Sequence, residues 1–339
     1  MNREVIAGID LGGTKILAGL FDDRGQMLGK KRIPTDAAGG LQAVLDRMTG
    51  LIAELKGRHA PEGKLRGVAV AAPGPLNSET GLVYETPNLK WKEVPLREML
   101  QEVLQVPVWV DNDGNLAALG EYTYGYPQEY RTLLYLTVST GIGGGIIING
   151  ELYRGSDGGA GEFGHMTLVP DGPVCGCGNR GCLEALASGT AVARTARERV
   201  SRGRMAALRE AVKGCIDKID ARLVAEMAAA GDGEAADLMD EAICYLGIGV
   251  ANLVNLFNPQ AIVIGGGMSG YRGLLQRVEE VVKERSYSSL SRKLKILPAR
   301  LGSEAGLMGC LALASRKVKC EDSGRPFGIP ADRWPGMVR

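Results

Sequence analysis

Apolar residues fall into two kinds of run along this chain. Wholly or mostly apolar stretches at residues 5–9, 16–21, 65–72, 106–110, 133–138, 261–264 and 294–297 are bounded by Gly, Asp, Asn or Pro, the pattern of buried strands. Residues 26–33 read as a further strand after the turn Asp22-Asp23-Arg24-Gly25. The other kind has helical spacing. Apolar residues at 41, 44, 45, 48, 51, 52 and 55, with charges between them, predict a helix over 41–56. Helices are also predicted over 94–104, with Pro95 in the first turn, and over 116–122, 274–282 and 305–314. From Glu184 to about Phe257 the chain is Ala-rich and helical, with an apolar seam at 242, 243, 246, 250, 253, 254 and 257 that Asn258-Pro259 ends. Two hairpins followed by alternating strands and helices give an α/β class, with mixed sheets covered by helices.

Two hairpin tips carry the first candidate chemistry. The first strand ends in Asp10, followed by Leu11-Gly12-Gly13-Thr14-Lys15 and a second strand. A Gly pair with Thr at a tip exposes backbone N–H groups and a hydroxyl, which suits phosphate oxygens. An ordinary turn that needs Gly has the same composition. Strand 133–138, then Ser139-Thr140-Gly141-Ile142-Gly143-Gly144-Gly145, then an apolar run repeats the logic about 130 residues later. The repetition points to a duplicated unit, each half offering one phosphate loop to a nucleotide. Gly265-Gly266-Gly267 after a buried strand leaves backbone against which a flat ring can lie. Asp111-Asn112-Asp113-Gly114-Asn115 ends another strand, where open α/β sheets bind ligands; one of these polar residues is also needed as a helix cap.

Residues 158–184 hold Cys175, Cys177 and Cys182, His165, Glu162 and Glu184 among many glycines. The spacing is His, nine residues, Cys, one, Cys, four, Cys. One nitrogen and three sulfurs suit a closed tetrahedral Zn²⁺, structural because no position remains for water. Three packed free cysteines are the alternative. Glu162 and Glu184 are carboxylates able to accept from vicinal sugar hydroxyls, or else a surface charge and a first-turn helix residue. His59 sits in a charged helix-to-strand turn and reads as solvated.

Composition narrows the classes. The 339 residues, 45% hydrophobic, allow two buried cores. A formal net charge of +1 gives no pointer to nucleic acid or an anionic membrane. No apolar run approaches the ~18 residues of a membrane span, and the N-terminus lacks a signal-peptide pattern. A cytoplasmic protein is expected, in which clustered cysteines mean metal or redox chemistry before disulfides.

Taken together, Asp10 to Lys15, Pro73-Gly74, Asn112-Asp113, 139–145, Gly161-Glu162-Phe163-Gly164-His165, the Cys175–Cys177–Cys182 set and Gly265-Gly266-Gly267 resemble the ROK family over roughly residues 4–316, most nearly its bacterial ATP-dependent glucokinases. The resemblance implies a two-domain, actin-like (ribonuclease H-like) fold with the active site in the interdomain cleft. Its bounds here would be a small domain of 1–113 plus 303–320, a large domain of 114–302 carrying the zinc loop, and a loose C-terminal tail of 321–339. It implies Asp113 as general base toward a hexose 6-hydroxyl, and Asn112, Glu162, His165, Glu184 and Gly74 at the sugar. Asp10, Gly12, Gly13, Thr14, Lys15, Thr140, Gly141, Gly143, Gly266 and Gly267 would hold the nucleotide, with Asp10 near Mg²⁺. His165, Cys175, Cys177 and Cys182 would hold a structural Zn²⁺, His165 turning its other nitrogen to the sugar. ATP with Mg²⁺ is the implied donor, glucose the preferred hexose, and a homodimer or homotetramer the implied assembly, with no nucleic-acid or membrane partner.

Three other readings stay open. An N-acetylmannosamine or N-acetylglucosamine kinase would use the same residues. A polyphosphate donor would want a dense Lys/Arg track, which is not seen. A sugar-responsive repressor would carry a helix-turn-helix ahead of the first phosphate loop, and Asp10 is only the tenth residue.

Overall fold

The structure, a computed structural model, describes residues 4–86 and 88–323. Pro87, expected in a loop with Asn88 and Leu89, and most of the expected C-terminal tail lie outside the described residues. Contacts divide the chain into two units, Met1–Asp111 with Cys310–Arg339, and Asn112–Gly309.

The first unit opens with β1 (Glu4–Leu11), β2 (Lys15–Asp22) and β3 (Met27–Pro34), an antiparallel meander. Next come α1 (Gly40–His59), β4 (Lys64–Ala72), β5 (Leu76–Asn77), β6 (Leu82–Thr86), β7 (Trp91–Pro95), α2 (Leu96–Leu104) and β8 (Val108–Asn112). The main sheet runs β3-β2-β1-β4-β8, with β4 parallel to β1. β1 and β2 are buried along almost their whole length, whereas β3 shows Lys30, Lys31 and Arg32 to solvent. Charged residues on an edge strand discourage pairing with other chains. The face that α1 buries is Val44, Leu45, Met48, Leu51, Ile52 and Leu55, the seam its periodicity predicts except for Leu41.

One expectation fails here. Val94 and Pro95 do not start a helix; they close β7, which pairs with β6 in a three-stranded sheet β5-β6-β7. The strands are short and mixed in burial, so neither period stands out in sequence, and Pro95 serves as the helix N-cap position instead.

In the second unit, α3 (Asp113–Gly120) runs into a single π-helical turn, Glu121–Gly125. The hairpins of β9 (Leu133–Val138), β10 (Ile142–Ile148) and β11 (Glu151–Tyr153) follow. A helical stretch contains α4 (Leu183–Ala187), α5 (Gly189–Ser201), α6 (Ala206–Ala211), α7 (Ala221–Ala229) and α8 (Gly233–Phe257). β12 (Ala261–Gly265), α9 (Leu274–Arg285), α10 (Ser288–Ser291) and β13 (Lys295–Pro298) follow, and α11 (Ala305–Ser323), which from Cys310 on belongs to the first unit, is the last element described. The sheet order is β11-β10-β9-β12-β13, with β12 parallel to both neighbours. Strand for strand this repeats the first sheet, so the two glycine-tipped hairpins are equivalent parts of a duplicated unit.

α8 is long and apolar enough to cross a membrane by length and composition, but Leu238, Ile243, Leu246, Val250 and Val254 bury it in the core of this unit. α11 extends past its predicted end at 314 through helix-compatible polar residues to Ser323, so the expected tail from residue 321 begins inside a helix. α3 begins three residues before its predicted start, because Asn112 caps it: Oδ1 accepts from the Gly114 and Asn115 amides at 2.9 and 3.2 Å.

The position of α3 depends on glycine. A Cβ on Gly114 would sit 2.4 Å from the Gly144 carbonyl oxygen, and a Cβ on Gly145 would sit 2.7 Å from both Ala118 Cβ and Gly114 O. Neither backbone can yield easily. Gly114→Ala should therefore lower unfolding free energy by about 1–3 kcal/mol, the usual cost of overpacking; a denaturant titration checks this through the shift in midpoint at constant m-value.

Candidate active site

In the first unit, Asp10 is the penultimate residue of β1, and Gly12, Gly13 and Thr14 form the turn into β2, which Lys15 begins. The Gly12 amide donates to the Lys15 carbonyl at 3.0 Å, and Thr35 pins the turn from behind, its Oγ1 donating to Gly12 O at 2.6 Å and its amide to Thr14 O at 3.0 Å. Gly12 thus uses its N–H inside the turn. Among the described residues the Gly13 and Thr14 amides make no such bond, so these two are what the tip can offer to an anion. A Cβ on Gly13 would lie 2.8 Å from Asn88 Cβ, which packs Asn88 onto the tip. Gly74 has φ +88° after β4, and a Cβ there would meet the Glu85 carbonyl at 2.2 Å. Burial at the end of β1 raises the Asp10 carboxyl to about 6, against a lowering pull from Lys15 and Arg32.

The second unit's tip is built alike. Ser139 N donates to Gly141 O at 2.9 Å, while the Thr140 and Gly141 amides make no bond among the described residues. The first turn of α5 supports this tip, Gly189 N donating to Ser139 O at 2.7 Å and Thr190 N to Thr140 O at 3.2 Å. Gly266, at φ +86°, passes so close to β9 that a Cβ would sit 2.3 Å from Val138 O, and Gly267 lies beside Ser139. The tip and the Gly266-Gly267 loop border a cavity of about 1130 Å³, lined also by Thr190, Arg194, Met268 and Tyr271. Gly143, by contrast, is an interior residue of β10 paired with Thr137. Sequence reasoning missed the wall from α5 and α7, because Ala-rich helices look like packing; the signal was Gly189-Thr190, directly after the Cys- and Glu-bearing segment.

Asp113 is the first residue of α3 and is exposed, its Oδ1 accepting from the Gly114 amide at 2.8 Å. A negative charge is favoured at a helix N-terminus. Asn112 beside it has Oδ1 engaged in the cap. The segment 161–165 lies on the same glycines of β10: a Cβ on Gly161 would be 2.9 Å from Gly144 O, one on Gly164 2.1 Å from Ile142 O, and one on Gly144 2.4 Å from the Phe163 ring.

His165 leaves the short turn Phe163–His165 between two partners. Its Nδ1 is 3.6 Å from Cys175 Sγ and its Nε2 is 3.8 Å from Glu162 Oε2. Cys177 Sγ and Cys182 Sγ are 3.8 Å apart, and the ligand atoms of all four residues lie within 4.8 Å of one another, a cluster able to hold a metal ion. Burial pushes the Cys175 thiol up and the Cys182 thiol up to about 12, while the Asn179 amide lowers Cys177. Buried thiols of this kind become thiolate only with a cation beside them. Glu184 stands at the cluster's edge, Oε1 3.7 Å from Cys175 Sγ and Oε2 accepting from the Ile142 amide at 2.8 Å.

Comparison with known proteins agrees with these features. The model of the ROK family matches residues 6–317. A glucokinase of Streptomyces coelicolor is 36% identical over 311 residues, 91% of this chain and 96% of that protein. A xylose repressor of Caldicellulosiruptor bescii is 36% identical, covering 92% of this chain and 79% of that protein. The crystal structure of a ROK glucokinase from Streptomyces griseus with glucose and AMPPNP superposes with a TM-score of 0.79 at 35% identity, covering 92% of this chain and 99% of that one. The fold is the two-domain, actin-like one.

Asp10 makes a test of the buried-carboxylate reading possible. Its folded value of about 6 lies above the ordinary 3.8, so the folded state holds this proton more tightly. The associated stability is full below 3.8 and lost as pH rises through 6. In nucleotide-free protein, Asp10→Asn should be more stable than wild type at pH 8, by on the order of 2–3 kcal/mol, and should lose that advantage by pH 4. Chemical denaturation at the two pH values reads this difference.

Proposed function

The chain belongs to the ROK family, and from that premise we propose that it is an ATP-dependent hexokinase that phosphorylates the 6-hydroxyl of glucose. The observation that carries the reading is the second unit's convergence of a helix-terminal Asp113, a His165 with one nitrogen toward three cysteines and one toward Glu162, and a phosphate-type tip beside a nucleotide-sized cavity. Glucose as substrate is supported by the glucokinase relatives and by the glucose complex of the Streptomyces griseus enzyme.

Phosphoryl transfer needs positioning and charge neutralisation more than covalent chemistry. Asp113 takes the proton from the sugar hydroxyl as that oxygen bonds to the γ-phosphorus and the bond from γ-phosphorus to the bridging oxygen breaks, releasing ADP; the Gly114 amide on Oδ1 orients the carboxylate for it. Asn112, Glu162, His165, Glu184 and Gly74 hold the remaining sugar groups. Asn112 keeps its oxygen on the helix cap, so its amide nitrogen is the atom it offers. The first unit offers phosphate oxygens its Gly13 and Thr14 amides, with Lys15 as a nearby positive charge; the second offers its Thr140 and Gly141 amides, and its Gly266 and Gly267 give the adenosine a flat floor. Mg²⁺ entering with ATP supplies charge neutralisation, with Asp10 as its protein carboxylate; Asp10 must be ionised for this, so donor binding weakens below about pH 6.

Zn²⁺ is the metal the donor set suits. Bonds of about 2.3 Å to sulfur and 2.0–2.1 Å to nitrogen around a tetrahedral ion separate ligand atoms by about 3.6–3.8 Å. The observed 3.6 Å between His165 Nδ1 and Cys175 Sγ and 3.8 Å between Cys177 and Cys182 Sγ match that spacing. When bound, the ion supplies a closed structural centre. With Nδ1 engaged, His165 carries its proton on Nε2 and donates from there, toward Glu162 or a sugar oxygen.

Asp113→Asn should lower kcat by roughly a hundred- to ten-thousandfold while sugar affinity changes little; turnover near the wild-type rate would remove Asp113 as the base. Metal analysis of protein purified without chelators should find about one zinc per chain, and a chain free of zinc would leave the cluster as packed thiols. An ADP-release assay across glucose, mannose, fructose, N-acetylglucosamine and N-acetylmannosamine should give the largest kcat/KM with glucose; a preference for either N-acetyl sugar would install the N-acylhexosamine kinase reading instead.

A further inference from the structure

We propose that Glu184 is a positioning residue for the phosphate donor, in addition to its place at the sugar. This rests on the kinase reading above.

The carboxylate is half-buried in the first turn of α4, and its two oxygens face different parts of the site. Oε1 points to the metal-ligand cluster, 3.7 Å from Cys175 Sγ. Oε2 accepts from the Ile142 amide at 2.8 Å, at the point where the second glycine tip enters β10. A Cβ on Gly141 would fall 2.5 Å from the same Oε2, so the tip rests directly on the carboxylate. From its other side the tip is held by the Gly189 and Thr190 amides on the Ser139 and Thr140 carbonyls. Ser139 and Thr140 line the cavity.

The tip is therefore gripped between α5 and one carboxylate, with its Thr140 and Gly141 amides left over for phosphate. Removing the carboxylate leaves the Ile142 amide without its acceptor and takes away the surface under Gly141. The phosphate-facing amides then lose their fixed direction, although nothing that touches the nucleotide has changed. α4 follows Cys182 without a gap, so cluster, sugar and donor tip share this one side chain. Linkage then requires that whatever settles Glu184 at the sugar also settles the donor tip, and the reverse.

The test is calorimetric titration of Mg·ADP into the metal-loaded full chain, wild type, E184A, E184Q and G141A, with thermal melts of each. E184A should bind Mg·ADP roughly tenfold more weakly, the size of one lost charge-assisted hydrogen bond. E184Q keeps an amide oxygen for Ile142 and should bind Mg·ADP within about twofold of wild type, while its glucose affinity falls. G141A, whose new methyl strikes Oε2, should weaken Mg·ADP as E184A does. Unchanged Mg·ADP affinity in E184A, or an equal loss in E184Q and E184A, overturns the role. If E184A does not fold, G141A and E184Q decide: G141A at wild-type affinity, or E184Q weakened to the same degree as G141A, overturns it. A wild type that does not bind Mg·ADP overturns the kinase reading and this role together; one that binds it while E184A is unaffected overturns this role alone.

Discussion

Two adjacent glycines in the middle of β10, Gly144 and Gly145, let neighbouring segments approach that strand far more closely than side chains there would allow. Successive residues of a strand face opposite sides. Gly145 accordingly receives Ala118 and the Gly114 backbone of α3, whereas Gly144 receives the Phe163 ring of the sugar-loop segment. The N-terminus of α3, with Asp113, and the turn that carries Glu162 and His165 are thus referenced to one strand. Glycine in a strand normally weakens it, through entropy and lost packing. Here that cost accompanies a gain in position: Asp113, the proposed base, and Glu162 and His165, the proposed sugar ligands, sit on segments set by backbone contact, which varies less than contact between flexible side chains.

The same strand continues into the phosphate-type tip, so the residues proposed for acceptor and donor in the second unit share one element. The duplicated tip of the first unit shows which parts of this device are general. Each tip uses one amide internally and leaves two adjacent ones, Gly13 and Thr14 or Thr140 and Gly141. The supports differ. Thr35 pins the first tip from within its own meander, while α5 and Glu184 grip the second. Among the described residues, only the second tip is tied to the segment that bears the cysteines.

Much of this was legible in the chain before any coordinates. The run 133–138 is clear because that strand is buried on both faces, and the seam of α1 because one face of that helix is buried along its length. The His165–Cys182 cluster was legible because side chains able to ligate a metal are chemically distinctive and Gly176 and Gly178 permit a tight bend. β5 to β7 were not, since two- to five-residue strands with mixed burial have no period to read. Nor was the double use of Glu184 or the internal use of the Gly12 amide. These are facts of geometry between segments about 40 residues apart or across a single turn, and residue type alone does not distinguish a carboxylate that meets ligand from one that also holds a loop.

If a metal-braced loop, through His165 and its carboxylate neighbours, gives this protein its grip on sugar, then zinc occupancy and glucose affinity are linked. Glucose titrated calorimetrically into zinc-loaded, zinc-stripped and zinc-restored protein tests it most directly, with circular dichroism to verify that the stripped chain remains folded. Stripping should weaken glucose binding by at least about tenfold, in line with the loss of an oriented ligand, and restoring zinc should recover it. Equal glucose affinity in stripped and loaded protein would contradict that link.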